Sequence, residues 1–399
     1  MSCVALPRVM IVGGVDVSAR LPLMEGLRDD FELIAVGCGD EAAAAFTARG
    51  FGYRAYAPLH ARVSPLDDAR AFVELARIFR AERPQIVHAF DTKAGVWGCL
   101  AARSARVPVA VGTVNGLGFL FREDSWKRRL LARSYRGLQR LACRASNATV
   151  FQNPDDARVF VERRLVKPER VVLVPGSGVR TDQLDPKLFS ASQRARLRSG
   201  LGLGAEDVVA IMVTRVIRSK GVLDLLAAAR ALRATHPRLR FLLVGAHEPE
   251  SMDRLTEPEL RALAAELVWV GQRGDVPALL AAADLMVFPS AYGEGIPRVL
   301  LEAAAMALPI VTTDAPGCRE VVEAGQNGCL ISIGDVSGLT QAVAQLADDA
   351  ERRHRFGAAG RARVQSRFDL AVVTQRTRVL YRELLSTAAA RSVALGRLA

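Results

Sequence analysis

Phe288-Pro-Ser-Ala-Tyr292-Gly-Glu294-Gly-Ile-Pro297 is the stretch that decides how this chain folds. The apolar run Leu285 to Phe288 reads as a short buried strand, and Ala291 to Gly295 as a loop. Val299 to Met306 then has helical spacing. Pro297 stands where that helix begins, a place that suits its fixed φ and missing N–H. A strand that turns through glycines into a helix belongs to βαβ architecture, with a parallel sheet covered by helices.

The same rhythm recurs on both sides. Val208 to Val213, Phe241 to Val244, Val268 to Val270, Ile310 to Thr312 and Cys329 to Ile331 read as further strands. Upstream, Val9 to Val12, Phe31 to Gly37, Gln85 to Ala89 and Val107 to Gly112 form an earlier series. Helices are expected over Leu66 to Ala81 and Lys93 to Ala105. The rhythm pauses at Val174-Pro-Gly-Ser-Gly-Val179 and at Asp185-Pro186, and a polar helix follows over Ser192 to Ser199. The linker therefore falls near 176–192. The predicted fold class is α/β, with two Rossmann-like doubly wound domains over 1–182 and 183–368. A last helix, 369–399, crosses back toward the first domain. Two such domains predict a cleft lined by loops at the carboxyl ends of the strands.

Composition bounds the function. The chain has 399 residues, half of them hydrophobic and 24% charged, which excludes a disordered protein. No apolar run approaches the roughly 20 residues a membrane helix needs. The six cysteines include no Cys-x-x-Cys pair, so neither a zinc site nor a redox dithiol is expected. Scattered thiols and an N-terminus that reads as a strand point to the cytoplasm. The net charge of +12 implies an acidic partner: nucleic acid, anionic membrane or a phosphorylated substrate. There is no basic-plus-aromatic surface of the kind that stacks bases, so nucleic acid is not expected.

The chemistry concentrates at strand ends. Gly293 and Gly295 let backbone N–H groups approach a ligand, and the helix start beyond them suits an anion such as a diphosphate. Glu294 and Glu302 are candidates to accept pairs of sugar or ribose hydroxyls. After Val213 comes Thr214-Arg215-Val-Ile-Arg218-Ser-Lys220-Gly221, two or three cations suited to phosphate oxygens. In the first domain, Gly13-Gly14 follows a strand but is not Gly-x-Gly-x-x-Gly, which disfavours a dinucleotide cofactor. His88 ends a strand and is followed by Phe90-Asp91-Thr92-Lys93. Thr113-Val-Asn115-Gly116-Leu-Gly118 is a candidate acceptor-side loop. From Trp126 to Arg144, Arg129, Arg133, Arg136, Arg140 and Arg144 recur on one helical face, a basic amphipathic helix suited to an anionic surface.

Taken together, these motifs resemble retaining glycosyltransferase family 4, whose members have the GT-B fold. The resemblance spans nearly the whole chain. It is strongest through Phe241-Leu-Leu-Val-Gly245, Val270-Gly-Gln-Arg-Gly-Asp275 and the run from Ala282-Ala-Asp284 to Val322. In the first domain, Val87-His-Ala-Phe, Thr92-Lys-Ala-Gly95, Gly112-Thr-Val-Asn-Gly-Leu-Gly118, Phe151-Gln-Asn-Pro-Asp-Asp156 and Pro175-Gly-Ser-Gly-Val179 look like the branch that builds bacterial surface glycans on polyprenyl-diphosphate carriers, including its N-acetylgalactosaminyltransferases. The resemblance implies that Glu302 holds the donor ribose and Glu294 the donor sugar. It implies that the amides of Gly295 and Ile296 help, that Arg215 and Lys220 bind the diphosphate, and that Gly14 lies beside the donor phosphates. His88 would contact the transferred sugar and assist catalysis. A UDP-sugar co-substrate is implied, with no metal or other cofactor. The implied acceptor is a lipid-linked saccharide, and the implied location is the inner face of the plasma membrane. Two positions depart from the family pattern: Arg180 stands where Asp is common, and Asn115 where relatives often carry His. A GT-B epimerase acting on UDP-N-acetylhexosamine and a non-catalytic nucleotide-sugar-binding subunit are the alternatives with the same architecture.

Overall fold

Along the first strand Val9 and Ile11 face one side and Met10 and Val12 the other, and all four are buried. Burial on both faces is what a strand inside a helix-covered parallel sheet requires. The computed structural model describes residues 6–57, 59, 64–118 and 126–396; at 126–131 and 392–396 only the backbone is described. The chain divides into two units, Met1–Ser177 with Leu370–Ala399, and Gly178–Asp369.

The sheet of the first unit contains β1 (Arg8–Val12), β2 (Glu32–Cys38), β3 (Gly52–Tyr56), β4 (Ile86–Ala89), β5 (Val109–Val114), β6 (Ala148–Phe151) and β7 (Val171–Leu173). They are parallel, in the order β3-β2-β1-β4-β5-β6-β7. The sequence patterns do not single out β3, β6 or β7. β3 and β7 lie at the sheet's two edges and are only partly buried, so their apolar signal is weak. One face packs on the helices Leu21–Leu27 and Leu370–Gly396, with Met24, Leu27, Val373 and Tyr381 buried there. The other packs on Pro65–Glu82, Thr92–Ser104 and the second half of Trp126–Ala145.

The second unit holds β8 (Val208–Val213), β9 (Leu239–Val244), β10 (Val268–Trp269), β11 (Leu285–Phe288), β12 (Ile310–Thr313) and β13 (Gly328–Ile331). Their order is β10-β9-β8-β11-β12-β13, again parallel. Each sheet therefore reverses its strand order once, between β1 and β4 and between β8 and β11. Such a reversal leaves a crevice at the strands' carboxyl ends, because the loops on either side leave in opposite directions.

The boundary between units falls at 177/178, earlier than the 182/183 read from the sequence. The cause is a set of polar ties that fix 179–185 to the second unit. The amide of Val179 donates to the Phe368 carbonyl at 3.1 Å, and Thr181 Oγ1 donates to Asp369 at 2.5 Å. Arg361 donates to Asp185 at 2.7 Å. The last helix begins at Leu370 and runs to Gly396. Arg378 and Arg382 on it both pair with Asp30, at 2.6 and 2.5 Å, and Arg378 also donates to the Gly26 carbonyl. These contacts make it part of the first unit.

Candidate active site

At the second crevice the loop after β8 meets the loop after β11. The amide of Ala291 donates to the Ser219 carbonyl at 2.9 Å, joining the two. Gly221 has φ +79°, and a Cβ there would lie 2.1 Å from the Pro289 carbonyl oxygen. Gly317 has φ +81°, and its Cβ would lie 2.0 Å from the Gly295 carbonyl oxygen. Only glycine meets both demands at these positions, left-handed backbone and close approach.

This packing places Lys220 against Glu294, and the two form an ion pair. Lys220 is 7% exposed. Its ammonium lies 4.5 Å from the centre of the Tyr292 ring and 5.7 Å from that of Phe288. Arg215 faces Tyr292 from 5.8 Å and pairs with Glu248 at 3.1 Å. Tyr292 thus lies within reach of two cations. An aromatic face attracts cations electrostatically, so the ring helps to hold both in place. Burial pushes the Tyr292 phenol above its ordinary pKa, which keeps it neutral. Arg218 is committed elsewhere: its two terminal nitrogens reach Glu259 at 2.8 Å each. Ser219 is anchored by Asp253, which accepts its amide at 2.7 Å.

Glu302 sits on the helix Arg298–Ala305 and pairs with Arg298 one turn earlier, at 2.9 Å. The structure thus brings Lys220, Glu294, Tyr292 and Arg215 into one cluster and gives Glu302 its own partner. The Ile296 side chain is buried in the core beneath the loop. Gly295 packs beside Gly317.

The first crevice is built differently. His88 is 3% exposed and points to the face covered by the last helix, as do its register partners Ile11 and Val111. Its Nδ1 lies 2.7 Å from the Tyr381 hydroxyl and its Nε2 2.6 Å from Thr113 Oγ1. The ring stacks on Phe90 at 4.1 Å. Burial, together with the charge of Arg20, pushes its pKa down to about 3. His88 is therefore a neutral imidazole with both nitrogens bonded inside the unit. The ring lines a small cavity with Arg20, Phe90, Thr113 and Thr377, on the face that the last helix covers.

The polar group that does stand at this crevice is Asp91, two residues past the end of β4. One carboxylate oxygen accepts the Gly14 amide at 2.9 Å, and the other accepts Asn115 Nδ2 at 2.8 Å. Arg20 lies 3.5 Å from the second oxygen, with its guanidinium over Phe90 and a bond to Ser177 Oγ at 2.8 Å. Gln152 donates to the Asn115 oxygen at 3.1 Å. Gly14 and Asn115 are thus joined through a residue that the sequence patterns do not single out. The available signal is its place, a charged residue two positions past a buried strand.

Of the expected basic face, the Arg129 side chain lies outside the described residues. Arg133 is exposed, and Arg136 is partly buried. Arg140 reaches along the surface, donating to the carbonyls of Arg164 and Arg163 at 3.1 and 3.2 Å beyond the helix Pro154–Glu162. Arg170 returns the arrangement, donating to the carbonyls of Cys143, Arg144 and Ser146 at the end of Trp126–Ala145. A guanidinium at the carboxyl end of a helix satisfies its last carbonyls and suits its dipole. Arg133, Arg136, Arg140 and Arg163 line one groove between the two helices.

Comparison with known proteins agrees with this layout. Residues 13–176 match the glycosyl transferase 4-like domain, and residues 193–363 match the glycosyl transferases group 1 model. An Escherichia coli UDP-Gal:alpha-D-GlcNAc-diphosphoundecaprenol alpha-1,3-galactosyltransferase is 27% identical over 72% of this chain and 72% of its own. The Campylobacter jejuni N,N'-diacetylbacillosaminyl-diphospho-undecaprenol alpha-1,3-N-acetylgalactosaminyltransferase is 24% identical over 91% of this chain and 94% of its own. Among solved structures, Anabaena HepE in complex with UDP-glucose superposes with a TM-score of 0.76 at 20% identity, over 94% of this chain and 99% of that one. The sucrose-phosphate synthase of Thermosynechococcus elongatus does so with 0.78 at 19%, over 96% and 100%. The fold is GT-B.

Proposed function

We infer the reaction from family membership: this chain belongs to the glycosyl transferases, with a glycosyl transferase 4-like domain followed by a group 1 domain. It moves a hexose or N-acetylhexosamine from a UDP-sugar, with retention of anomeric configuration, to a polyprenyl-diphosphate-linked saccharide during surface glycan synthesis. The observation that carries this reading is the Lys220–Glu294 pair over Tyr292 at the second crevice. It sets a cation for the diphosphate beside a carboxylate for sugar hydroxyls. The relatives' names support the UDP-sugar and the lipid-linked acceptor.

In this mechanism the bond from the anomeric carbon to the diphosphate oxygen breaks first. Lys220, buried, and Arg215, at the exposed rim, stabilise the charge that builds on the leaving group, as preorganised cations do. The acceptor hydroxyl attacks from the same face, and its proton passes to the departing diphosphate oxygen. Glu294 orients the sugar, Glu302 the ribose, and the Gly295 and Ile296 amides assist. The cations serve in place of a divalent metal. The membrane-facing surface is the basic groove, with Arg133 its outward charge, since Arg140 is occupied by carbonyls. Among the described residues no helix is long and apolar enough to cross a membrane, so association at the inner face would be peripheral.

The test is a thermal-shift screen of UDP-, GDP- and ADP-sugars, followed by incubation with a short-chain polyprenyl-diphosphate saccharide. A UDP-sugar is expected to stabilise the protein and to yield an extended acceptor, with the rate unchanged by a chelator. Isomerised UDP-sugar without acceptor would overturn transfer in favour of epimerisation. Co-sedimentation with anionic liposomes that ignores Arg133→Glu would overturn the membrane surface.

A further inference from the structure

Asp91 has a backbone conformation that side chains avoid. Its φ is +69° and its ψ 173°. Arg83 also has positive φ, but its ψ of 52° puts it in the ordinary left-handed well at a helix end. Asp91 lies outside that well, in a region populated almost only by glycine. The position would thus favour glycine, so the carboxylate is retained against a steric cost.

The local structure does not use that carboxylate as a helix cap. Asp91 is the N-cap of the helix Thr92–Ser104, the place where an aspartate usually accepts an amide from the first turn. Here the side chain makes no such bond. It turns instead to the Gly14 amide and to Asn115, with Arg20 alongside. These partners come from the segments after β1 and β5, so one side chain fixes three loops around the first crevice. It remains 30% exposed. A carboxylate has about four lone-pair sites, so capacity is left beyond these contacts.

We propose that Asp91 is a positioning residue for glycosyl transfer, acting through Gly14 and Asn115. It fixes the glycine turn and the Asn115 amide in the geometry the reaction needs. This rests on the transferase reading above and extends it to a residue of the first unit. The physical cause is orientation: a small misplacement of a group that aligns reactants lowers the rate far more than it lowers binding.

The experiment compares wild type with Asp91→Gly and Asp91→Asn for UDP affinity, melting temperature and transfer from the UDP-sugar to the lipid-linked acceptor. Glycine suits the backbone, so Asp91→Gly is expected to keep the fold, with Tm within about 3 °C of wild type. Its UDP affinity should change less than about threefold, while kcat falls about 100-fold. Asparagine keeps the shape and one acceptor oxygen, and should recover about tenfold of that loss. An Asp91→Gly variant that transfers within about threefold of wild type overturns the inference and leaves the transferase reading intact. So does a rate loss matched by Tm losses beyond about 6 °C in both variants, which would mark a purely structural role. A wild-type protein that neither binds UDP nor transfers sugar overturns the transferase reading and this inference with it.

Discussion

The two crevices occupy the same topological place, yet they are built from different materials. At β8/β11 the crossing is made by long charged side chains, Lys220 and Glu294, held by an aromatic ring and glycine contacts. At β1/β4 it is made by a main-chain amide, a short carboxylate and an amide side chain. The β8/β11 arrangement holds a buried, paired charge in place, which suits the proposed leaving diphosphate. The β1/β4 arrangement places rigid, directional hydrogen bonds, which orient more than they neutralise. Similar topology thus provides two crevices, and side-chain chemistry divides the work between them.

Neutralising Lys220 separates the two crevices most strongly. Lys220→Met is expected to lower kcat about 100-fold or more by removing the charge proposed to meet the leaving group. It should also destabilise the protein, because Glu294 loses its partner. Glu294 keeps some contact with water, so the cost should lie below the roughly 3–5 kcal/mol of a fully buried pair. Adding Glu294→Gln should restore Tm without restoring transfer. If activity returned with Tm, the pair would be a scaffold rather than the catalytic charge.

The next effect concerns His88 and is read in pH rather than rate. Its folded pKa, about 3, lies below the ordinary value of 6.5. The unfolded chain therefore takes up a proton first, and this contribution to stability is present above pH 6.5 and is lost as pH falls toward 3. By pH 5 the loss amounts to about 2 kcal/mol. Asp156, raised to about 7 by burial, acts in the opposite sense: its contribution is present below 3.8 and lost as pH rises to 7. The variant His88→Gln isolates the histidine. Its stability, measured by urea unfolding at pH 7 and pH 5, should fall about 2 kcal/mol less than that of wild type. Equal falls would show that His88 is already solvated.

A weaker contrast lies around the basic helix, between Arg170, which caps its end, and Arg133 on it. Arg170→Ala should cost about 1 kcal/mol by uncapping the carbonyls at the end of Trp126–Ala145, lowering Tm by about 2–4 °C. Arg133→Ala should leave Tm unchanged and weaken binding to anionic liposomes. A reversal of these two outcomes would mean that the capping and the outward-facing arginine are assigned the wrong way round.

Much of this is legible in the sequence for a specific reason. The second crevice is written in two short loops, each bounded by strong apolar strands, so periodicity and glycine spacing place Lys220 and Glu294 at strand ends. Arg218 looks equivalent to Lys220 in sequence, and only the fold, which brings Glu259 within reach, separates them. His88 reads as a crevice residue because it ends a strand. Its fate depends on a helix nearly three hundred residues later in the chain, which covers that face and supplies Tyr381. Asp91 escapes such a reading because its neighbours carry the family likeness, whereas its own role lies in backbone strain and partners from other loops.

Local pattern suffices for the strand and helix periods, hence for two doubly wound α/β units, and for the motifs that identify a glycosyl transferase. These follow from short-range sterics and burial, which act over a few residues. Which charged groups pair, which arginines cap helices, and that His88 is buried while Asp91 faces the crevice were settled only on folding. Those outcomes depend on contacts between segments far apart in the chain, and no local pattern encodes them.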